Sequence, residues 1–381
     1  MSSIRDILGN FRIAKKRAGK SALAQFAEIV MLRFGAQKLS AFEYFDFHLY
    51  DDTLYDWEQK CQFVGWRRRL YQQSLVNDER YLAIAFDKII FQNLIEAFGL
   101  PIPKIKLVFS PEFRNVGAIP TFSNSEHFID FLRSFEGFPI FGKPVDGFHG
   151  RNVFGLEGYD SEIDSFRLSN GNTLSADCLM HDVIPAEKYG YLFQEKLTQH
   201  PELRAIAGNA ISSLRIWTLL RETGPEIYRC IWRVANGNNM YDNSRHNSRH
   251  GSIGNPFGTM NPKTGEVLKQ FLELGFWEQE ITHHPDTGAP LTGFNMPLWD
   301  DVVDLVKSAT QCLPGLRMQA WDIAITPDGP SIVELSLPGD IDSLQAAFRQ
   351  GHWDHTFDGL LEDIQRYAAR QPHRDVMDYL L

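Results

Sequence analysis

Residues 319–337 read QAWDIAITPDGPSIVELSL, and this stretch decides the fold. Two runs rich in apolar residues, 319–326 and 331–337, flank Pro327-Asp328-Gly329, three residue types that favour a tight turn. The pattern predicts a pair of antiparallel strands. Asp322 lies on the first strand and Glu334 on the second, so the sequence predicts a hairpin that carries one carboxylate on each arm.

Strands and helices alternate on both sides of this hairpin, from residue 86 onward. The predicted strands span residues 105–109, 139–143, 191–194, 213–220 and 227–234. The predicted helices span residues 87–98, 125–135, 302–313 and 357–369, with Ser125 as the expected N-cap of the second. Strands mixed with helices in this way predict a fold that contains both kinds of element.

The first 85 residues have a different pattern, which is helical throughout. Leu23, Phe26, Val30 and Phe34 recur at the spacing of one helix face. Closely spaced aromatic residues follow between residues 42 and 55, and we interpret them as core or interdomain contacts. The chain therefore divides into three predicted segments, residues 1–85, 86–190 and 191–381.

Composition sets limits on the class of protein. With 381 residues, 43% of them hydrophobic, the chain can build two or three subdomains. Its net charge of −10 argues against a broad basic surface, so we expect no nucleic-acid partner. Two short basic clusters, Lys15-Lys16-Arg17 with Lys20 and Arg67-Arg68-Arg69, are interpreted as solvated helix faces.

Cysteine usage and hydropathy indicate the compartment. The four cysteines are widely scattered and form no CxxC pair, so we expect neither a disulfide framework nor a structural zinc site. No apolar run approaches the roughly 20 residues of a membrane span, and no signal-peptide pattern is present. We expect a cytoplasmic protein without a membrane span.

Two familiar nucleotide-binding motifs are absent. Gly19-Lys20-Ser21 resembles the end of a P-loop, but Ala14 occupies the position of the first glycine and no apolar strand precedes it. The sequence also has no GxGxxG, so a dinucleotide-binding Rossmann domain has no support. Any nucleotide site must be built from other parts.

An ordered series of residues supplies such parts. Lys88 begins a helix, and Lys143 ends a strand just before the glycine-containing segment 146–153. Two lysines and the backbone N–H groups of a glycine loop can neutralise and position a triphosphate. A strand end at residues 194–197 can offer backbone groups to a base. The carboxylates of Asp322 and Glu334 can hold Mg²⁺, which prefers oxygen ligands.

This series resembles the ATP-grasp fold, in which two α+β subdomains grip ATP. In detail it is similar to the sugar-transfer-associated ATP-grasp family, over residues 39 to 345. The similar segments are LSAFEYF (39–45), DK (87–88), GLP (99–101), GKP (142–144), QEKL (194–197), HPEL (200–203), SLRIWT (213–218), YDN (241–243), WDI (321–323) and VELS (333–336). The resemblance implies a helical N-terminal region, an ATP-grasp N-terminal subdomain over residues 86–190, and a magnesium-binding C-terminal subdomain over residues 191–381.

The resemblance also implies roles for individual residues. Those expected to bind ATP are Lys88, Lys143, Gly147, His149, Gly150, Gln194, Glu195, Leu197 and Glu202. Those expected to hold Mg²⁺ are Asp322, Glu334 and Ser336. Those expected to stabilise charge during catalysis are Lys143, Arg215 and Arg233.

One departure from the family pattern concerns the metal site. The family pattern reads Glu-x-Asn where this sequence has Glu334-Leu335-Ser336, and a serine hydroxyl is a shorter and poorer magnesium ligand. Three alternatives follow: Ser336 coordinates through water, Asp340 or Asp342 compensates, or the site is weakened and the protein binds nucleotide with altered catalysis.

The substrate side is assigned to the polar segment 241–254. Asn243, Arg245 and His250, together with Asp340, are the candidates to meet an anionic substrate. A solvated loop is the alternative for this segment. A zinc site on His246 and His250 is a further one, although the neighbouring glycines, serines and asparagines disfavour the helix that such a spacing needs.

The expected activity is that of an ATP-dependent carboxylate–amine ligase that forms an amide through an acyl phosphate. Its expected substrates are a small carboxylate and an amine, and a homodimer is compatible with the sequence. The resemblance points to decoration of a surface polysaccharide or a secondary metabolite. Phosphorylation of a hydroxyl on the same fold, and nucleotide binding with impaired catalysis, are the alternatives.

Overall fold

A computed structural model describes residues 4–147, 152–237, 254–337 and 339–370. The chain begins with a helical region and continues into two seven-stranded sheets. Six α-helices form the described part of the N-terminal region: α1 (Ile4–Ala18), α2 (Ala22–Phe34), α3 (Ala41–Asp46), α4 (Trp57–Cys61), α5 (Trp66–Val76) and α6 (Leu82–Phe86). The α+β class and the helical N-terminal region are as expected.

The first sheet has the strand order β2-β1-β7-β3-β4-β5-β6. Its strands are β1 (Ile105–Phe109), β2 (Thr121–Phe122), β3 (Ile140–Pro144), β4 (Phe154–Asp160), β5 (Ser165–Leu168), β6 (Thr173–Ser175) and β7 (Tyr191–Glu195). Three helices accompany it: α7 (Lys88–Ala97), α8 (Ser125–Arg133) and α9 (Ala176–Cys178). Strand β3 lies between β7 and β4, so the connection after β3 starts near the middle of the sheet.

The second sheet has the order β12-β11-β10-β9-β8-β13-β14. Its strands are β8 (Leu214–Arg221), β9 (Gly224–Arg233), β10 (Phe257–Met260), β11 (Gln270–Leu272), β12 (Gln279–Ile281), β13 (Met318–Thr326) and β14 (Gly329–Ser336). Four helices accompany it: α10 (Pro201–Ala207), α11 (Trp299–Cys312), α12 (Ile341–Phe348) and α13 (His355–Arg370). Residues of α11 pack in one core cluster, and residues of α12 and α13 in another, so the buried strand β13 is covered on both faces.

Strand β7 shows where the predicted segments meet. It is the first strand after residue 190, and it pairs with β1 and β3 in the first sheet. The first sheet therefore extends to Glu195, and the second sheet starts at Leu214. The division of the chain at residues 85 and 190 stays a prediction.

Local sequence signals explain where helices begin. The Asp87 carboxylate accepts hydrogen bonds from the backbone N–H groups of Ile89 and Ile90 and so caps α7. At α8 the cap is Asn124 rather than the expected Ser125, which is the first helical residue.

The hairpin that decides the fold forms as predicted, with Asp322 on β13 directly opposite Glu334 on β14.

The N-terminal helices are bound to the C-terminal half of the chain. Tyr44, Phe45 and Tyr50 are buried in one cluster with Phe276, so the interpretation of the aromatic run as core is confirmed. The buried Gln345 side chain accepts from the Val64 N–H at 2.8 Å and donates to the Val64 carbonyl at 2.9 Å. The Gln345 amide thus makes with the Val64 backbone the two hydrogen bonds that a neighbouring β-strand would make.

Removal of this amide is expected to destabilise the protein. In a Gln345→Leu variant the Val64 N–H and C=O stay buried but lose their partners, which costs about 2 kcal/mol. Unfolding in urea measures the loss. The matched control is Gln350→Leu on the same segment, where the side chain is exposed and the free energy of unfolding should stay within about 0.5 kcal/mol. Equal stability of the two variants would contradict the assignment.

Helix α2 differs from the expectation in one respect. The helix forms, but its buried residues are Gln25, Ile29 and Leu32. The four residues predicted at helix-face spacing, Leu23, Phe26, Val30 and Phe34, lie on the exposed side. A periodic pattern predicts that a helix has an apolar face, but it does not tell what covers that face.

Among the described residues, none of the helices has both the length and the apolar character to span a membrane.

Candidate active site

Two lysines of the first half of the chain converge between the sheets. Lys143 lies on β3, and its ammonium donates to the Val333 carbonyl on β14 at 3.4 Å. Lys88 opens α7; its backbone N–H donates to the Val145 carbonyl, and its ammonium donates to the Gly147 carbonyl. The first sheet and α7 thus each present one ammonium group toward the edge strand of the second sheet.

Three strands of the second sheet present a row of charged side chains. Asp322 on β13 is directly opposite Arg215 on β8, and it is opposite Glu334 on β14. Residues opposite each other on adjacent strands point to the same face, so the register alone places an arginine and two carboxylates side by side. Arg233 on β9 joins them, because its Nη2 donates to Asp322 Oδ2 at 2.9 Å.

Asp322 is held by both arginines. Arg215 donates through Nε to Oδ1 and through Nη2 to Oδ2, each at 2.7 Å. The three groups are almost fully buried, with side-chain exposures of 5% for Asp322, 11% for Arg215 and 12% for Arg233. Burial by itself favours the protonated carboxyl, but the two guanidinium groups hold the pKa of Asp322 below its ordinary value.

The lysines and the carboxylates meet at Glu334. The Lys88 ammonium lies 3.8 Å from Glu334 Oε1. Lys143 is close enough to Glu334, Asp322 and Lys88 for all three to act on its ionisation. The structure therefore brings together Lys88, Lys143, Asp322 and Glu334, which the sequence separates by up to 246 positions.

Lys143 has an unusual environment. Within the described residues no carboxylate lies within 4 Å of its ammonium, and the side chain is only 8% exposed. Desolvation, together with the charge of Lys88, lowers the pKa of Lys143 to about 8. A buried cation without a close counter-ion is electrostatically prepared for an anion.

The oxygen donors suit a divalent cation such as Mg²⁺. A carboxylate offers about four acceptor positions, and the two arginines use three of those of Asp322. Glu334 has a side chain that is 30% exposed. Within the described ranges no group of three or more His, Cys, Asp or Glu is arranged to hold a metal. Two carboxylates suffice for Mg²⁺ when phosphate oxygens and water complete the shell.

Ser336 takes part in the arginine network. Its Oγ accepts from Arg215 Nη2 at 3.2 Å. Asp340 caps α12 and accepts from Ser343 Oγ at 2.5 Å, and its charge acts on Arg215. The Asp340 carboxylate is therefore a third one in the site, and it lies in electrostatic range of Arg215. The contact of Asp340 with substrate stays a prediction.

The residues predicted to bind the base lie around the end of β7. The Gln194 side chain is buried, and within the described part of the chain its Oε1 has no hydrogen-bond donor. Glu195 pairs with Lys106 at 2.7 Å. Because β7 ends at Glu195, the backbone of Leu197 no longer belongs to the sheet. Glu202 is exposed in the first turn of α10, and no described contact joins its side chain to the other predicted site residues.

Several predicted site residues lie outside the described residues. These are His149 and Gly150 in the glycine-containing segment, and Asn243, Arg245 and His250 in the polar segment. Gly147 is described, and its carbonyl accepts from the Lys88 ammonium. The roles predicted for Gly147 and for the five residues outside the described ranges stay predictions.

Sequence reasoning missed some residues that position the site. Arg114 pairs with Asp87 at 2.6 Å and thereby fixes the cap that precedes Lys88. The side chain of Ser213 accepts from Arg233 Nη2 at 2.5 Å. His284 is buried, and its Nε2 is 2.9 Å from the Ala235 carbonyl just after β9. A lone arginine or histidine carries no spacing signal that would have revealed these contacts.

Comparison with known proteins gives one family and a set of similar structures. A profile of the family described as sugar-transfer associated ATP-grasp matches residues 67–352. No curated protein matches the chain.

The similar solved structures are distant. The VanG D-Ala:D-Ser ligase from Enterococcus faecalis has 12% identity and a TM-score of 0.44, over 77% of this chain and 64% of that one. N5-carboxyaminoimidazole ribonucleotide synthetase from Thermotoga maritima has 13% identity and a TM-score of 0.34, over 72% and 49%. L-amino acid ligase from Bacillus licheniformis has 10% identity and a TM-score of 0.37, over 73% and 48%. The chain thus spans from about half to somewhat under two thirds of these proteins.

Proposed function

The chain belongs to the sugar-transfer associated ATP-grasp family, whose profile covers three quarters of it, and from this premise we propose that it is an ATP-dependent ligase. It activates a small carboxylate as an acyl phosphate and joins it to an amine. The observation that carries the proposal is the convergence of Lys88 and Lys143 with Glu334 and the Arg215–Asp322–Arg233 cluster. Two cations for phosphate, carboxylates for a metal and arginines for developing charge are thus close together.

ATP lies in the cleft between the sheets, with its phosphates on the two lysines. Lys143, buried and without a close carboxylate, gains a counter-ion when the phosphates arrive. Gln194 and Glu195 at the end of β7, and Leu197 just beyond it, contact the base. Glu195 or Glu202 is the candidate for the ribose. The segment that contains Gly147, His149 and Gly150 covers the phosphates.

Mg²⁺ fits the oxygen donors of Asp322 and Glu334, with Ser336 beside them; when bound, it neutralises phosphate charge and favours departure of ADP. The family asparagine is replaced by Ser336, whose hydroxyl accepts from Arg215. The Ser336 hydroxyl therefore belongs to the arginine network.

The reaction has two balanced steps. A carboxylate oxygen of the substrate attacks the γ-phosphorus of ATP, the bond to the β-phosphate oxygen breaks, and ADP and an acyl phosphate result. The amine nitrogen then attacks the acyl carbon, the bond to the phosphate oxygen breaks, a proton leaves the nitrogen, and an amide and phosphate result. Arg215, Arg233 and Lys143 offset the negative charge that develops in the first step.

The acid is expected on the side of Asp340 and the polar segment that contains Asn243, Arg245 and His250. Cationic groups in that segment would attract an anionic acid, such as a sugar acid of a surface polysaccharide or a secondary metabolite. The protein acts in the cytoplasm, where ATP is available, and a homodimer is compatible with this function.

Two alternative functions use the same site. The same charge cluster can transfer phosphate to a hydroxyl, since it contains nothing specific to an amine. Ser336 in place of asparagine favours the second alternative, a nucleotide-binding protein with impaired catalysis.

Mass spectrometry of the products tests the proposal. The protein is incubated with ATP, Mg²⁺, a panel of sugar acids and a panel of amines. An amide together with one equivalent each of ADP and phosphate supports the ligase. A stable phosphoester formed without amine would establish the first alternative, and ATP binding without any product across both panels would establish the second.

Nucleotide affinity is expected to fall as the pH rises above 8. Lys143 must be protonated to hold phosphate, and its pKa of about 8 means that the free protein loses this charge above that pH. The phosphates stabilise the ammonium, so binding raises its pKa and takes up a proton. The Kd for ADP should increase by up to about tenfold per pH unit between about 8 and 9.5.

Isothermal titration calorimetry in buffers of different ionisation enthalpy measures both the Kd and the proton uptake. Lys143→Arg is the matched control, because a guanidinium keeps its charge across this range and should bind ADP without proton uptake. A wild-type affinity that is constant over this range, with no proton uptake, would remove Lys143 from the phosphate site.

A further inference from the structure

Helix α2 exposes an apolar stripe along its whole length. The side chains of Leu23, Phe26, Val30, Met31 and Phe34, which we call the α2 stripe, are exposed by 79%, 57%, 37%, 51% and 77%. At 100° per residue these five positions fall on one side of the helix, opposite the buried side. The helix has 13 residues, so the stripe is about 20 Å long. A continuous exposed apolar surface of this kind marks an interaction site.

The stripe carries no charge of its own. The charged residues of α2 are Glu28 and Arg33, and both lie outside it. Glu28 faces the protein, where it accepts from Lys20 at 2.6 Å and from the Tyr44 hydroxyl at 2.6 Å. The acid nearest to the stripe is therefore already neutralised within the fold.

Basic groups stand at both ends of the stripe. Lys15 and Lys16 are exposed in the last turn of α1, which leads into α2 through a short turn. At the other end the Lys38 ammonium donates to the Phe34 carbonyl at 3.1 Å. Residues 7–38 contain seven lysines and arginines and a single acid, a net charge of +6, while the whole chain has a net charge of −10. The stripe thus lies in a basic segment of an acidic protein.

We propose that the α2 stripe docks on the surface of an anionic lipid bilayer. The apolar side chains enter the boundary between headgroups and acyl chains, and the flanking lysines contact the acidic headgroups, as in interfacial helices. The chain lies on the membrane and does not cross it.

Charge favours a bilayer over a second copy of the chain. Two copies joined through their α2 stripes would bring two segments of net charge +6 together, and like charges across an interface oppose association. An anionic bilayer supplies both the apolar layer and the opposite charge. The inference rests on residues 7–38 and does not depend on the ATP-dependent reaction.

Cosedimentation with vesicles tests the proposal. The full chain is mixed with vesicles of phosphatidylglycerol and phosphatidylcholine in equal parts, and with vesicles of phosphatidylcholine alone. We expect binding to the acidic vesicles, at least about tenfold weaker binding to the neutral ones, and release in about 0.5 M NaCl.

Variants distinguish vesicle binding through the α2 stripe from nonspecific adsorption. Phe26→Ser with Phe34→Ser should reduce binding to acidic vesicles at least about tenfold. The matched control is Phe113→Ser, since Phe113 is 84% exposed on the loop between β1 and β2, outside the α2 stripe, and should not matter for binding. Circular dichroism and thermal unfolding verify that both variants fold as the wild type does.

Two results would overturn the proposal. One is binding to vesicles that the Phe26/Phe34 double variant retains in full, since the charges alone would then suffice. The other is a wild-type dimer in light scattering that the double variant converts to a monomer, with no protein on vesicles. That result would assign the stripe to a second copy.

Discussion

Lys143→Met is expected to reduce ATP turnover about 1,000-fold, and it should do so without destabilising the protein. The lysine is buried and lacks a close carboxylate, so its charge is costly in the free protein. Methionine has similar length and needs no counter-ion, so the free energy of unfolding should stay equal or rise. Nucleotide binding loses the cation between the sheets. A variant that loses turnover while its free energy of unfolding stays equal or rises indicates that the lysine serves to bind an anion and not to stabilise the fold.

The comparison needs turnover and urea unfolding on the same preparations. Lys263→Met is the matched control, because Lys263 is exposed and far from the cluster in sequence. It should leave both quantities unchanged. Turnover of the Lys143 variant within tenfold of wild type would show that phosphate is held elsewhere.

Asp322→Asn is expected to destabilise the nucleotide-free protein by about 3–5 kcal/mol. The substitution keeps the shape of the side chain but leaves Arg215 and Arg233 buried beside a neutral group. Their charges then repel each other, and the carboxylates that still act on Arg215, those of Asp340 and Glu334, make no hydrogen bond to it among the described contacts. The loss should appear without ATP or metal, which separates this structural role of Asp322 from its proposed role as a metal ligand.

Urea unfolding measures this loss. Asp328→Asn in the exposed turn of the same hairpin is the control, with an expected change within about 0.5 kcal/mol. Adding Arg233→Met to Asp322→Asn removes one of the two repelling charges and should recover part of the stability. An Asp322→Asn variant as stable as wild type would mean that the arginines do not need this carboxylate.

The hairpin shows what the sequence could predict. Two runs rich in apolar residues and a Pro-Asp-Gly turn are local signals, and the structure forms both strands with Asp322 opposite Glu334. The ends of predicted strands and helices shift by a few residues at most, because caps such as Asn124 depend on single side chains. The family resemblance carried the rest of the architecture, since pairing of distant strands leaves no local pattern.

The arginine cluster shows what could not be predicted. Arg215 and Arg233 were expected to act on substrate charge, but that they also hold Asp322 depends on the register of three strands. The α2 stripe is a second case. Spacing predicted an apolar face, but burial depends on which elements pack against it, and Ile29 and Leu32 occupy the inner side instead.

Helix α7 contacts the cores of both sheets. Ile89 packs in the cluster with Val108 and Leu192 of the first sheet. Phe91 packs in the core of the second sheet, with its ring 6.2 Å from that of Trp321. The helix therefore packs against both sheets, and Lys88 lies in its first turn. The Lys88 N–H is bonded to the Val145 carbonyl just after β3, so both lysines are tied to the first sheet. A rotation of one sheet against the other therefore changes the distance from the two lysines to Glu334 on β14, and the site for an anion changes with it.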